Sequence, residues 1–173
     1  MSIFIRQVSI SDYDGIYALW NSTEQSRRAL NPVDDSREGI ERYLRRNPAT
    51  CFLACENAEN EITNEAADAS GAPQNTSKNA EKIVGVILTG HDGRRAIIHH
   101  LCVHLDYRRK GIAHLLVEKA EEALRAEGIT KAFGLVFKDN DAANAFWENE
   151  GYTLRTNLNY RNKSLNDRIP QGE

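Results

Sequence analysis

Arg108-Arg109-Lys110-Gly111-Ile112-Ala113-His114 is the stretch whose residue types and spacing point most directly to chemistry. Cations, a glycine and a helix start together make a cradle for an anion. The first N–H groups of a helix lack intrahelical acceptors and carry the positive end of the macrodipole, so they can donate to phosphate oxygens. Gly111 lets the backbone approach such a group closely. Downstream, Ile112, Leu115, Leu116, Ala120, Ala123 and Leu124 recur at helical spacing, with Glu118, Lys119, Glu121, Glu122 and Arg125 on the other side. Gly128 supplies the end of that helix.

A second group of chemically able residues lies just upstream. His100, Cys102 and His104 alternate along a strand-like run, and imidazole and thiolate are good zinc ligands. Residues two apart on one strand do not close a tetrahedron without a further ligand from elsewhere, so no metal is assigned.

The elements that must position these residues are legible in order. Ile3 to Val8 reads as a strand, and Ser11-Asp12 as the cap of a helix that buries Ile16, Leu19 and Trp20 and ends near Asn21-Ser22. Thr23 to Asp35 is a polar segment with a turn at Asn31-Pro32, and Asp35-Ser36 caps a second helix burying Ile40, Tyr43 and Leu44. Thr50 to Cys55 and Ile83 to Leu88 read as antiparallel strands. Between them, 57–82 is poor in large apolar residues and is expected to be a flexible insertion whose removal leaves the fold intact. Asp92-Gly93 signals a hairpin into the strand Arg95 to His104. Lys131 to Phe137 is the next strand, Asn140-Asp141 opens a helix that ends at Gly151, and Tyr152 to Leu158 is a last strand. The pattern predicts an α/β (α+β) fold with a mixed sheet of six to seven strands and about four helices, in one domain over 1–165 with a frayed tail at 166–173.

Composition excludes several classes. A net charge of -3 over 173 residues provides no basic field for nucleic acid. Neither a signal peptide nor an apolar membrane span is evident, so a cytoplasmic protein is expected. Cys51, Cys55 and Cys102 lie in apolar strands, which suits reduced core thiols. No G-x-x-x-x-G-K-[ST] or G-x-G-x-x-G occurs, which argues against a nucleotide-hydrolysing or dinucleotide enzyme.

Three features coincide in order: Leu101-Cys102-Val103-His104, then Tyr107 through Ala113 and a helix, then Asn140-x-x-Ala143-x-x-Phe146-Trp147-x-x-x-Gly151-Tyr152. Together with Ile5-Arg6-x-Val8 and Asp12-Tyr13, this resembles the GNAT superfamily of acyl-CoA-dependent N-acyltransferases. The resemblance implies transfer of an acetyl group from acetyl-CoA to a primary amine of a small molecule or peptide, in a monomer or homodimer with no metal, nucleic-acid or membrane partner. It implies that Arg108, Arg109, Lys110, Gly111, Ile112, Ala113 and His114 hold the pyrophosphate. It implies that Leu101, Cys102 and Val103 offer main-chain groups to the pantetheine arm and thioester, with Asn140, Ala143 and Trp147 on the facing side. Acceptor recognition is expected from 23–35 and from the region of Tyr152 to Tyr160.

The implied chemistry needs a base, because an alkyl ammonium with a pKa near 10.4 is protonated at neutral pH. His99, on the strand presenting the thioester, is the candidate base and resembles a strand histidine of the arylalkylamine branch. Two departures from the family stand out. Trp147 occupies the usual tyrosine acid position, and an indole N–H is no acid. Leu135 stands where the ribosomal-protein alanine acetyltransferases carry a glutamate. These departures motivate an alternative, a GNAT-fold sensor that binds acyl-CoA without efficient transfer.

Overall fold

Continuous runs of apolar, often β-branched residues build the central strands, which are buried on both faces because helices cover both sides of the sheet. The computed structural model of the protein describes residues 2–57 and 81–165. In chain order these form β1 (Ile3–Gln7), α1 (Tyr13–Asn21), α2 (Glu24–Arg28), α3 (Arg37–Arg46), β2 (Phe52–Asn57) and β3 (Glu81–His91). There follow β4 (Ala96–Val103), α4 (Ile112–Ala126), β5 (Ala132–Gly134) and α5 (Asp141–Asn149), with short 3-10 turns at Ile10–Asp12 and Leu105–Tyr107. The strands lie in the order β1-β2-β3-β4-β5. All neighbours are antiparallel except β4 and β5, whose parallel pairing requires the α4 crossover.

Two apolar cores sandwich this sheet. On one side Ile112, Leu116, Val117 and Ala120 of α4 pack on Phe52, Ala54, Val84, Ile87, Ile98 and Val103. On the other, Ile16, Leu19 and Trp20 of α1 and Ile40 of α3 pack on Leu53, Val86, Leu88 and Cys102. Each large aliphatic side chain so buried contributes roughly 1.5–3 kcal/mol. Gly85 admits α4 close to the sheet: a Cβ there would stand 3.1 Å from Leu116 Cδ1 and 3.3 Å from Ile112 Cγ2. The first turn of α4 is thereby seated directly over β3.

Several expectations need correction. Among the described residues the sheet has five strands, not six or seven, and five α-helices rather than about four. Tyr152 to Leu158 forms no strand, and Leu154 and Leu158 are 75% and 63% exposed. Their alternation marks an apolar face, but β5 pairs for three residues only, which leaves little edge on which to lay another strand. For the same reason the expected strand 131–137 shrinks to Ala132–Gly134. The polar segment after α1 contains α2, capped where Thr23 Oγ1 accepts from the Ser26 N–H at 3.2 Å. Asp12 is the N-cap residue of α1 as expected, but its side chain makes no cap hydrogen bond there; it closes a capping box with Ser9, which caps the preceding 3-10 turn Ile10–Asp12. Ser36 caps α3 as expected.

The expected insertion has its ends in strands, since Asn57 pairs with Glu81 and Glu56 with Lys82. The rest of it, 58–80, and the tail at 166–173 lie outside the described residues. The three cysteines are free and buried, as their apolar surroundings in the sequence implied. No helix among the described residues is long and apolar enough to cross a membrane.

Candidate active site

The site begins where β4 and β5 part company. They pair from Ala96 with Ala132 to Ile98 with Gly134, and there the pairing stops although β4 continues to Val103. A split therefore opens beside the second half of β4. His104 N–H donates to Val84 C=O at 2.9 Å, so in the antiparallel ladder the main-chain groups of His104, Cys102 and His100 are turned toward β3. Those of Leu101 and Val103 consequently turn the other way, into the split. Of Leu101, Cys102 and Val103, the first and last thus turn their main-chain groups into the split. Cys102 instead buries its thiol against Ser26 Oγ, 3.3 Å away, in the α1-side core, and burial raises its pKa.

β4 also carries a bulge. Leu88 pairs with His100 and Thr89 with Ile98, so His99 is the extra residue. The bulge shifts the alternation by one: Ile98 and Val103 belong to the α4-side core and Leu101 packs against it, whereas His100 and Cys102 face α1. His99 lies edge-on to the Tyr43 ring of α3, with centroids 5.4 Å apart, and is partly exposed. Desolvation and the neighbouring His100 push its pKa below the ordinary 6.5, against an upward pull from Asp35 and Asp34. His100 Nε2 meets Asp35 Oδ1 at 2.8 Å and its ring stands 4.5 Å from that of Trp20. His104 sits just beyond the strand, accepts from the Asp106 N–H and lies edge-on to Tyr107, so the three alternating residues do not share one face. No cluster of three potential metal ligands occurs among the described residues.

At the mouth of the split stands the basic turn. Arg109 and Gly111 both adopt left-handed backbone, with φ of 63° and 78°. Gly111 is the N-cap of α4 and, having no side chain, caps nothing, whereas Thr23, Ser36 and Asn140 cap α2, α3 and α5 with their side chains. The first intrahelical bond of α4 is Leu115 N–H to Gly111 C=O at 3.1 Å, which leaves the Ile112, Ala113 and His114 N–H groups as open donors. A Cβ on Gly111 would find nothing within 4 Å, so the space above this turn is open. Arg108 Nε reaches back to Val103 C=O at 3.2 Å, and Lys110 Nζ lies 4.9 Å from the centroid of the Tyr107 ring. That ring is anchored by its hydroxyl donating to buried Glu56.

The facing residues lie on α5. Asn140 Oδ1 accepts from the Ala143 N–H at 3.2 Å, so this side chain shapes the start of α5. Trp147 packs against the α4-side core and lies edge-on to Tyr152, with centroids 4.8 Å apart. Tyr152 donates its hydroxyl to Glu121 Oε1 at 3.0 Å, and burial raises its pKa. His114 Nδ1 pairs with Glu150 Oε2 at 2.9 Å, tying the first turn of α4 to the end of α5, and that hydrogen bond raises the His114 pKa. A raised histidine pKa adds stability below the ordinary value near 6.5 and loses it as pH rises through the elevated value. His114 is 59% exposed, so the gain is small. The expected result is that Glu150→Gln lowers the His114 pKa measured by NMR titration; an unmoved titration would break the pairing.

Sequence reasoning missed two contacts of the 23–35 segment. One is the Asp35 pair with His100. The other is Arg28, which bonds Asp139 at 2.7 Å and stands 4.0 Å over the Phe137 ring, bridging α2 to the turn before α5. Neither had a signal, because the partners lie 65 and 111 residues apart.

A three-layer sandwich whose mixed sheet splits beside an uncapped, basic helix start is the architecture of an acyl-CoA-dependent acyltransferase. The chain belongs to the acetyltransferase (GNAT) family, whose model matches residues 14–152. An acetyltransferase from Sodalis glossinidius is 29% identical over 93% of this chain and 94% of its own. One from Yersinia enterocolitica is 29% identical over 89% of this chain and 90% of its own. In fold, the chain is similar to the PaiA N-acetyltransferase of Thermoplasma acidophilum in complex with coenzyme A, with a TM-score of 0.62 at 18% identity over 87% of this chain and 89% of that one. It is likewise similar to Ard1 from Thermoplasma volcanium, with a TM-score of 0.62 at 18% identity over 87% of this chain and 82% of that one. The protein is thus an acetyltransferase of a family that uses acetyl-CoA.

Proposed function

We propose that the protein transfers the acetyl group of acetyl-CoA to a primary amine of a small molecule or peptide by direct attack on the thioester. The observation that carries this reading is the alignment of the split, where Leu101 and Val103 turn their main-chain groups outward, with the open N–H groups of Ile112, Ala113 and His114 at its mouth. The fit to a pyrophosphate is supported by the open space above Gly111, which a Cβ would begin to fill. Arg108, Arg109 and Lys110 add positive charge at the same turn.

In this reading the α4 N–H groups bind the diphosphate, and Leu101 and Val103 orient the pantetheine arm. The Val103 N–H donates to the oxyanion as the thioester carbonyl becomes tetrahedral. Asn140, Ala143 and Trp147 line the facing wall. The β4 bulge, with His99 and His100, supplies proton acceptance beside the thioester. A thiol with a pKa near that of cysteine, about 8.5, leaves readily enough that water completes its protonation.

The alternative, a sensor that binds acyl-CoA without efficient transfer, is favoured by one observation. Trp147 is packed edge-on to Tyr152, whose hydroxyl is committed to Glu121, so neither stands as a ready acid. Calorimetric titration with acetyl-CoA followed by a thiol-release assay over a panel of amines and N-terminal peptides separates the two. Binding with thiol release for an acceptor class is expected. Binding without release across the panel would leave the sensor, and absence of binding would sink both.

A further inference from the structure

We propose that His100, held by Asp35, takes the proton from the acceptor amine, on the face of the sheet opposite the α4 cradle. This rests on the transferase reading above and assigns the proton to one of the two adjacent histidines.

The placement comes first. Ile98 is the last β4 residue paired with β5, His99 is looped out, and His100 is the first residue beyond the split to rejoin the β3 ladder, opposite Leu88. Its side chain therefore stands at the apex of the split and faces α1, while the cradle lies at the α4 side. A diphosphate held at the start of α4 brings the acyl chain in from that side, which leaves the α1 face for the amine.

The orientation is unusually well determined. His100 Nε2 and Asp35 Oδ1 are 2.8 Å apart, with side chains only 13% and 10% exposed. Asp35 Oδ2 accepts the Asn31 N–H at 2.6 Å, Asn31 Oδ1 accepts the Val33 and Asp34 N–H groups, and the Tyr13 hydroxyl donates to Asp35 C=O at 2.9 Å. The carboxylate is thus fixed by the turn that carries it, and the Trp20 ring fixes the plane of the imidazole. A carboxylate on Nε2–H selects the tautomer whose Nδ1 carries the lone pair. Nδ1 has no partner among the described residues. The titratable groups near this pair are His99, whose charge interacts with that of His100; Asp34, which acts on His99; Tyr43, whose ring lies against His99; Tyr13, whose hydroxyl meets Asp35 C=O; and Cys102 on β4, whose thiol is held by Ser26. A buried polar pair of this kind returns little net stability over apolar residues of the same volume, so stability alone gives no reason for a carboxylate and an imidazole here.

The step balances. The substrate ammonium gives one proton to His100 Nδ1, and the freed lone pair forms the C–N bond to the thioester carbonyl carbon. The C–S bond breaks on collapse of the tetrahedral species, and the leaving thiolate takes the second proton from nitrogen. His100 returns the first proton to solvent, so an ammonium and an acetyl thioester become an amide, a thiol and one free proton.

The test uses the full-length protein with whichever amine releases thiol. His100→Gly is expected to lower kcat by about a hundredfold or more, with acetyl-CoA affinity unchanged, because general-base contributions are of that order. Added imidazole should restore turnover in proportion to its concentration, a response that a purely structural histidine would not show. Asp35→Asn keeps the shape of the pair but no longer selects the tautomer, so kcat should fall without imidazole rescue and without loss of the thermal transition. Undiminished kcat in His100→Gly, or imidazole rescue of His99→Gly but not of His100→Gly, overturns the assignment while leaving the transferase intact. If the wild-type protein binds acetyl-CoA yet releases no thiol with any amine, the transferase reading fails and this assignment with it.

Discussion

Gly111→Val is expected to weaken acetyl-CoA binding by about a hundredfold or more while the protein stays folded, a loss equal to one or two charge-assisted hydrogen bonds. Two physical effects add. The backbone at 111 has φ of 78°, which a β-branched residue strongly disfavours, so the turn must relax and with it the aim of the Ile112, Ala113 and His114 N–H groups. Valine would also place its branches in the open space above the turn, where a phosphate must come within hydrogen-bonding distance. Because no protein atom lies within 4 Å of the added Cβ, the fold itself is not crowded, and the thermal transition should move little beyond the strain of roughly 1–3 kcal/mol. Calorimetry against acetyl-CoA decides it. An unchanged dissociation constant would remove the cradle from the site.

The second large effect concerns Trp20, fully buried between α1, the sheet and the His100 ring. Trp20→Ala is expected to cost about 3–5 kcal/mol in urea unfolding, as for other buried tryptophans truncated in a core. Trp20→Phe should cost much less. Among the described residues the buried indole Nε1 has no hydrogen-bond partner, so phenylalanine discards an unpaired donor while keeping most of the apolar contact. The pair of variants also separates packing from chemistry. If Trp20 serves only to hold the imidazole plane, Trp20→Phe retains turnover, whereas Trp20→Ala loses it together with stability. Equal losses of stability in both variants would mean that the indole N–H has a partner in solution.

Much of this molecule was legible as pattern. The apolar stripe of α4, Gly111 before it and Gly128 after it mark a helix with an open N-terminus, because a 3.6-residue period and a left-handed turn leave local signatures in residue type. The hairpin at Asp92-Gly93 and the Ser36 cap of α3 are local in the same sense. The order of strand, basic turn and helix, followed by the Asn140 helix, was enough to single out the GNAT family, and the family model covers that same stretch.

What the sequence by itself determined, then, was each element whose cause lies within a few residues, together with the uncapped, basic helix start that such an element creates. Tertiary structure alone decided what depends on register and on distant partners. The bulge that makes His99 an extra residue exists only because β3 and β4 fall out of step, and it turns His100 to α1 and Leu101 to α4. The parting of β4 from β5 after Ile98 is a property of two strands and not of either. Asp35 read as a helix cap beside Ser36, yet its carboxylate is spent on a histidine 65 residues away, an electrostatic contact that no local spacing encodes. The strand expected over Tyr152 to Leu158 fails for the same reason: a segment becomes a strand only beside a neighbouring edge long enough to pair with it, and β5 pairs for three residues only.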